Sequence, residues 1–72
     1  MREVDSSAIQ FINYDSGTLT VIFRQTMLIY EFKNVPEEIY QAFAEAESLG
    51  KAFNKLIRPK FEGVYRGVFK QG

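Results

Sequence analysis

The chain contains no cysteine and no histidine among its 72 residues. Without cysteine there is no disulfide and no thiol chemistry, which fits a reducing compartment and leads us to expect a cytoplasmic protein. Without histidine, a serine nucleophile would need a lysine or carboxylate base in its place. Asp5-Ser6-Ser7 is the only suggestive cluster, but adjacent residues of an extended chain point in opposite directions. We therefore predict no enzymatic activity, no catalytic residue and no cofactor.

Long apolar runs and ligand-binding loops are also missing. No segment approaches the roughly 20 apolar residues of a membrane span, and the N-terminus lacks the apolar core of a signal peptide. Gly63 and Gly67 are followed by neither Lys-Ser/Thr nor a helix opening, so a phosphate loop is not expected. The acidic residues lack the spacing of a calcium loop. We expect neither a membrane nor a metal among the partners.

The composition that remains is that of one folded domain, spanning residues 1–72. Hydrophobic residues make up 46% and charged residues 25%, which is ordinary for a globular protein. The formal net charge is zero, but residues 1–50 carry −5 and residues 51–72 carry +5. Such asymmetry indicates an anion-facing end, although the two ends could equally attract each other across the fold.

Alternating apolar residues predict a sheet in the first half of the chain. Residues 7–14 are read as a first strand, with Ile9 and Phe11 on one face. Asp15-Ser16-Gly17 predicts a turn, and residues 18–24 alternate most cleanly. A third strand over 27–33 follows a turn at 24–26 that has no Gly, Asn or Asp to supply a positive φ.

After Pro36 the apolar period becomes helical. Ile39, Ala42, Phe43 and Ala46 fall on one stripe, and Ser48 is placed to cap a second helix that ends before Pro59. Residues 64–69 favour a fourth strand over a helix, and residues 61–72 are otherwise a tail. The predicted fold is α+β, a small antiparallel sheet of three or four strands followed and covered by two short helices.

Two hypotheses place an anion near the second helix. In the first, basic side chains at helical spacing contact RNA phosphates and Tyr30 stacks on a base, while Phe32 fills the core. In the second, a small nucleotide-like anion is bound instead. The basic residues are Lys51, Lys55, Arg58 and Lys60. The small-ligand set is Ser6, Ser7, Tyr30, Asn54 and Arg58. The basic stripe could equally be an ordinary solvated face.

A third hypothesis concerns the apolar tail, which is large for so small a core. Strand addition to a partner's sheet edge would bury it. The chain would then be a module that binds another protein, or one that forms homo-oligomers through its C-terminal segment. The partner-binding residues in that case are Tyr65, Arg66 and Phe69.

Several short motifs, in this order, resemble the KTSC domain. They are Val4-x-Ser6-Ser7-x-Ile9, Tyr14-Asp15, Leu19-x-Val21-x-Phe23, Tyr30-x-Phe32, Val35-Pro36-x-x-x-Tyr40, Ala46-x-Ser48-x-Gly50-x-x-Phe53-Asn54 and Ile57-Arg58. The resemblance covers about residues 4–58. The family is named for its place at the C-terminus of some lysyl-tRNA synthetases and also occurs as small stand-alone proteins.

This resemblance implies an α+β fold and a role in RNA binding, and it brings no catalytic site. The chain departs from the family pattern at two places. The central Tyr-x-Tyr is Tyr30-Glu31-Phe32 here, so the second hydroxyl is missing. The hairpin before it, usually with a glycine, is Arg24-Gln25-Thr26-Met27.

Overall fold

The structure, a computed structural model, describes residues 2–3 and 6–70. Within these residues, five antiparallel strands form one sheet in sequence order, and the helical segments lie between the last two strands. The strands are β1 (Arg2–Glu3), β2 (Ile9–Asp15), β3 (Thr18–Phe23), β4 (Leu28–Phe32) and β5 (Gly63–Val68). The helical segments are α1 (Glu37–Ala44), α2 (Leu49–Ala52) and a π-helical turn (Phe53–Ile57). The predicted α+β architecture is confirmed, and the strand expected over 64–69 is β5.

One face of the sheet packs against the helices, and a bulge in β2 decides which residues face them. The register shifts between Ile9 and Phe11, so that Ile9 pairs with Phe23 and Ile12 with Val21. Ile9 and Ile12 are therefore both buried on the helical side. The prediction that Ile9 and Phe11 share a face was wrong, because the extra residue of the bulge reverses the alternation.

The turn between β3 and β4 obtains its positive φ from an unexpected residue. Met27 has a φ of 58°, and its amide donates to the Phe23 carbonyl at 2.8 Å. A positive φ costs free energy in a residue that has a side chain. This hairpin nevertheless has Met27 at that position, where glycine or asparagine is usual. The first hairpin turn follows the predicted chemistry, since Gly17 has a φ of 84°.

Helix α1 begins after Pro36, as predicted, but its buried stripe is rotated. Phe43 is fully buried and Ile39 half-buried, whereas Ala42 is exposed. Tyr40 faces the sheet instead, and its ring stacks on that of Tyr14 with centroids 4.4 Å apart and planes 5° from parallel. Ala46, expected on the helix, lies beyond its end. The Tyr40 ring buries more apolar surface than the Ala42 methyl group would, so it determines which face of this short helix packs on the sheet.

Tyr14 also links β2 to the segment that precedes α1, because its hydroxyl donates to the Val35 carbonyl at 2.5 Å. We predict that Tyr14→Phe lowers the free energy of unfolding by about 1 kcal/mol, the usual net contribution of such a bond. In a domain this small, that loss corresponds to roughly 4–8 °C in Tm, measurable by circular dichroism. Tyr40→Phe is the matched control, since the Tyr40 hydroxyl has no hydrogen bond within the described chain. Equal losses in both variants would contradict the assignment.

The core lies between the helical side of the sheet and the helices. It contains residues from every strand of the central hairpins and from each helical segment. Its buried members are Ile9, Ile12, Leu19, Val21, Phe32, Val35, Phe43, Leu49, Ala52, Phe53 and Ile57. Phe32 is only 4% exposed, so it belongs to the core, as the sequence analysis expected.

Candidate functional site

The second helix begins as predicted and then changes its winding. The Ser48 hydroxyl caps α2 by accepting the Lys51 amide at 3.3 Å. Further along, the Arg58 amide donates to the Phe53 carbonyl at 2.9 Å, five residues back. This wider π turn advances through a smaller angle per residue than an α-helix, and such turns occur frequently at functional sites.

The π turn interrupts the α-helical spacing of the predicted basic residues. The i, i+4, i+7 spacing of Lys51, Lys55 and Arg58 assumed a continuous α-helix, which ends at Ala52. All three side chains are exposed, but Arg58 lines a pocket beside the sheet, whereas Lys51 and Lys55 do not. Lys60 is likewise exposed outside the pocket. The predicted exposure of these basic residues is confirmed, and whether they form one surface that binds RNA stays a prediction.

The pocket lies between the helical side of the sheet and the α2–π segment, and its volume is about 450 Å³. This is within the range of about 300–1,000 Å³ that small-molecule sites occupy. Its lining comes from residues that are far apart in the sequence. From the sheet and its approach come Ala8, Ile9, Phe23, Tyr30, Phe32 and Gly63; from the helical side come Gly50, Phe53, Asn54, Arg58 and Phe61.

Aromatic rings in mutual contact form much of the pocket wall. The Phe53 ring meets Phe23 edge-on, with centroids 5.3 Å apart, and meets Phe32 at 5.5 Å. Phe23 in turn contacts Tyr30 at 5.8 Å, again edge to face. Interlocked rings of this kind hold one another in place. The pocket thus offers flat apolar surfaces with fixed orientations.

Three polar side chains line the same pocket, namely Tyr30, Asn54 and Arg58. In the described part of the chain, none of the three side chains makes a hydrogen bond or an ion pair. Among the described residues that line the pocket, Arg58 is the single charged one. Its guanidinium is permanently positive and suits planar, paired oxygen acceptors. A hydroxyl, an amide and a guanidinium beside aromatic walls suit an anion that carries a flat ring.

Ser6 and Ser7, predicted to join these three, lie at the edge of the site. The Ser6 hydroxyl accepts the amides of Ala8 and Ile9 at 3.2 and 3.3 Å, so it shapes the turn that leads into β2. Arg24 Nε donates to the Ser6 carbonyl at 2.5 Å and fixes this turn on β3. Ser7 lines a neighbouring depression that shares Ala8 with the pocket. The structure therefore gives Ser6 a positioning role.

The predicted partner-binding residues of the tail lie in different surroundings. Tyr65 is 53% exposed and faces Tyr30 across the strands. Arg66 pairs with Glu31 at 3.6 Å, and Phe69 packs against Phe11 on the other face, with ring centroids 5.3 Å apart.

The outer edge formed by β5 is irregular. The β4–β5 register shifts at Arg66, and Gly67 has a φ of 108°. A bulge and a charge on an edge strand are devices that hinder strand addition. Self-association through this edge stays a prediction.

Two further features of the described residues bear on function. In residues 2–3 and 6–70, no group of three or more acidic residues is placed to hold a metal ion. In the same residues, no helix is long and apolar enough to cross a membrane.

The fold and the pocket define a class: a small α+β domain with a meander sheet and a pocket between the sheet and the inserted helices. The family model of the KTSC domain matches residues 5–61. The chain belongs to the KTSC domain family.

Similar proteins extend over nearly the whole chain. A curated protein of Tsukamurella paurometabola is 34% identical over 65 residues, covering 89% of this chain and 97% of that protein. An uncharacterized protein of Stutzerimonas stutzeri is 35% identical over 65 residues, covering 88% and 90%. The crystal structure of a KTSC domain protein from Yersinia pestis matches with a TM-score of 0.84 and 35% identity, covering 92% and 94%.

Sequence reasoning found the polar residues of the pocket and missed most of its walls. Phe23 and Phe61 were assigned to a strand and to the tail, and neither was linked to the site. Phe23 carried a usable signal, because it lies on the same face as Tyr30 in the neighbouring strand. Phe61 carried none, since its position depends on the chain turning back after the π turn.

Proposed function

We propose that this domain is a non-enzymatic binding module for a nucleotide-like anion, either free or at an unpaired position of an RNA. The observation that carries the proposal is the common location of Tyr30, Asn54 and Arg58, three unpaired polar side chains, in one aromatic-walled pocket. Phosphate and a planar ring are the two chemical groups that such a lining favours.

The aromatic walls support binding of a base. Stacking of a base on an aromatic side chain contributes about 1–3 kcal/mol and tolerates any base, because each has a flat π face. Phe23 and Tyr30 are only half-buried, so part of each ring faces the pocket. The amide of Asn54 supplies a donor and an acceptor for the polar edge of a base.

Arg58 supports binding of a phosphate. Hydrogen bonds to a charged group contribute about 1.5–3 kcal/mol, more than neutral ones. No carboxylate lines the described pocket to compete for this guanidinium. The surrounding segment also carries most of the positive charge of the chain, which raises the local concentration of anions.

The test is titration calorimetry with the four ribonucleoside 5′-monophosphates, the uncharged nucleosides and inorganic phosphate. We expect at least one monophosphate to bind more tightly than its nucleoside or phosphate alone. Arg58→Gln is expected to weaken that binding by about 10-fold or more, the equivalent of one charge-assisted hydrogen bond. Because the Arg58 side chain makes no hydrogen bond or ion pair within the described chain, its replacement should leave Tm nearly unchanged.

Lys55→Gln is the matched control, since Lys55 is a cation of the same π turn outside the pocket. It should leave monophosphate binding unchanged. A parallel titration with single-stranded RNA separates the two sources of the ligand. If Lys55→Gln weakens RNA binding as much as Arg58→Gln does, the basic surface rather than the pocket is the site. If neither monophosphates nor RNA bind at low salt, the proposed function is wrong.

A further inference from the structure

The row of aromatic rings that starts in the pocket continues beyond it to the edge of the sheet. Phe53 contacts Phe23, Phe23 contacts Tyr30, and Tyr30 contacts Tyr65 with ring centroids 5.6 Å apart. Tyr30 and Tyr65 are direct cross-strand partners on the helical side of the sheet. Tyr65 does not line the pocket, yet its ring adjoins a ring that does.

Tyr65 is the most exposed ring of this row. It is 53% exposed, whereas the neighbouring rings of the row are half-buried or buried. Its hydroxyl makes no hydrogen bond within the described residues. Its position is held by the β4–β5 pairing on one side and by the Tyr30 ring on the same face. Tyr65 is therefore a fixed aromatic surface open to solvent.

We propose that Tyr65 forms a second base subsite, so that the ligand is an oligonucleotide of at least two unpaired nucleotides. This inference rests on the proposed function, in which the first base occupies the pocket. The spacing of the two rings supports a second subsite. The centroids of Tyr30 and Tyr65 are 5.6 Å apart, a larger distance than the roughly 3.4 Å rise between stacked nucleotides of one strand. Two successive bases would be splayed apart, each on its own ring, as in single-strand recognition.

The charges around the row fit the backbone of such a ligand. Arg58 lines the first subsite, and the described residues that line the pocket include no carboxylate. Glu31, which follows Tyr30 in β4, projects from the opposite face and is paired with Arg66. Tyr65 lies outside the segment matched by the family model, residues 5–61, so this subsite is an addition to what the family model covers.

The test compares three ligands by titration calorimetry at one salt concentration: AMP, adenosine 3′,5′-bisphosphate and the dinucleotide pApA. The bisphosphate adds a phosphate without a second base. We expect pApA to bind on the order of 10-fold more tightly than either of the others, the gain of one stacked base. Tyr65→Ser should remove this gain and leave AMP affinity unchanged, whereas Tyr65→Phe should retain it. Val64→Ala, an exposed neighbour on the other face, should have no effect.

Each alternative result has a distinct meaning. Equal affinity for the bisphosphate and pApA in the unmodified protein would overturn the second subsite and leave the proposed function intact. A loss of AMP and pApA affinity by the same factor in Tyr65→Ser would also overturn it, because Tyr65 would then act on the first subsite. Failure of all three ligands to bind would contradict the proposed function itself.

Discussion

Phe43→Ala is expected to lower the free energy of unfolding by about 3–5 kcal/mol, the usual cost of removing a buried phenylalanine side chain. Phe43 is fully buried in helix α1 and is among the largest fully buried side chains of the described chain. At roughly 0.05–0.15 kcal/mol per residue, a domain of 72 residues has only about 4–11 kcal/mol of stability in total. The variant should therefore be partly or wholly unfolded at 37 °C.

The same change should also weaken the candidate site. The Phe43 ring contacts Phe53 with centroids 6.4 Å apart, and Phe53 forms part of the pocket wall. Urea unfolding monitored by circular dichroism gives the stability change, and nucleotide titration at 15 °C gives the binding change. Phe43→Leu is the control, because a smaller aliphatic residue that still fills most of the space should cost about 1.5 kcal/mol or less. A loss below 1 kcal/mol for Phe43→Ala would contradict the assigned burial.

Sequence periodicity predicted the elements well where one rule dominated. Strand β3 alternates cleanly, and Pro36 and Ser48 mark the starts of the two helices through backbone chemistry that needs no tertiary information. Strand β5 was predicted because Gly63 and Gly67 disfavour a helix. Each of these signals involves only neighbouring residues, and the structure contains the element that each one predicted.

The features that sequence could not predict are those in which one extra residue is inserted into a regular element. The bulge after Ile9 reverses the faces of β2, and the π turn interrupts the α-helical spacing of Lys51, Lys55 and Arg58. Tertiary packing determines where the bulge and the π turn occur, because no particular residue type marks the inserted position. The rotation of α1 has a similar origin, in the stacking of Tyr40 on Tyr14.

These insertions explain why the candidate site was predicted in part. Tyr30, Asn54 and Arg58 were grouped as ligands of a nucleotide-like anion, and the structure brings them together in one pocket. Ser6 and Ser7 were predicted in the same set but lie at the edge of the pocket. The aromatic walls were missed because they come from residues on several strands and a turn, whose contacts no local spacing encodes.

The second large effect is expected at Gly63, which lies directly opposite Phe32 on the neighbouring strand. A Cβ atom at this position would lie 2.6 Å and 2.9 Å from two atoms of the Phe32 ring, closer than carbon atoms approach in proteins. Phe32 is 4% exposed and packs against Phe53, so a shift of its ring would disturb the packing of the core. Gly63→Ala should therefore cost about 1–3 kcal/mol, as overpacking of a core usually does.

This variant should also impair nucleotide binding, because Gly63 and Phe32 both line the pocket and a displaced ring would enter it. Urea unfolding and monophosphate titration measure the two effects, and Val64→Ala, at an exposed neighbour, is the control for each. The decisive comparison is the double variant Phe32→Leu with Gly63→Ala. Its total cost should be smaller than the sum of the single costs by about 0.5–3 kcal/mol, since a smaller side chain makes room for the added methyl group. Additive costs would show that the ring and the glycine do not contact each other, and the pocket wall would then have to be redrawn.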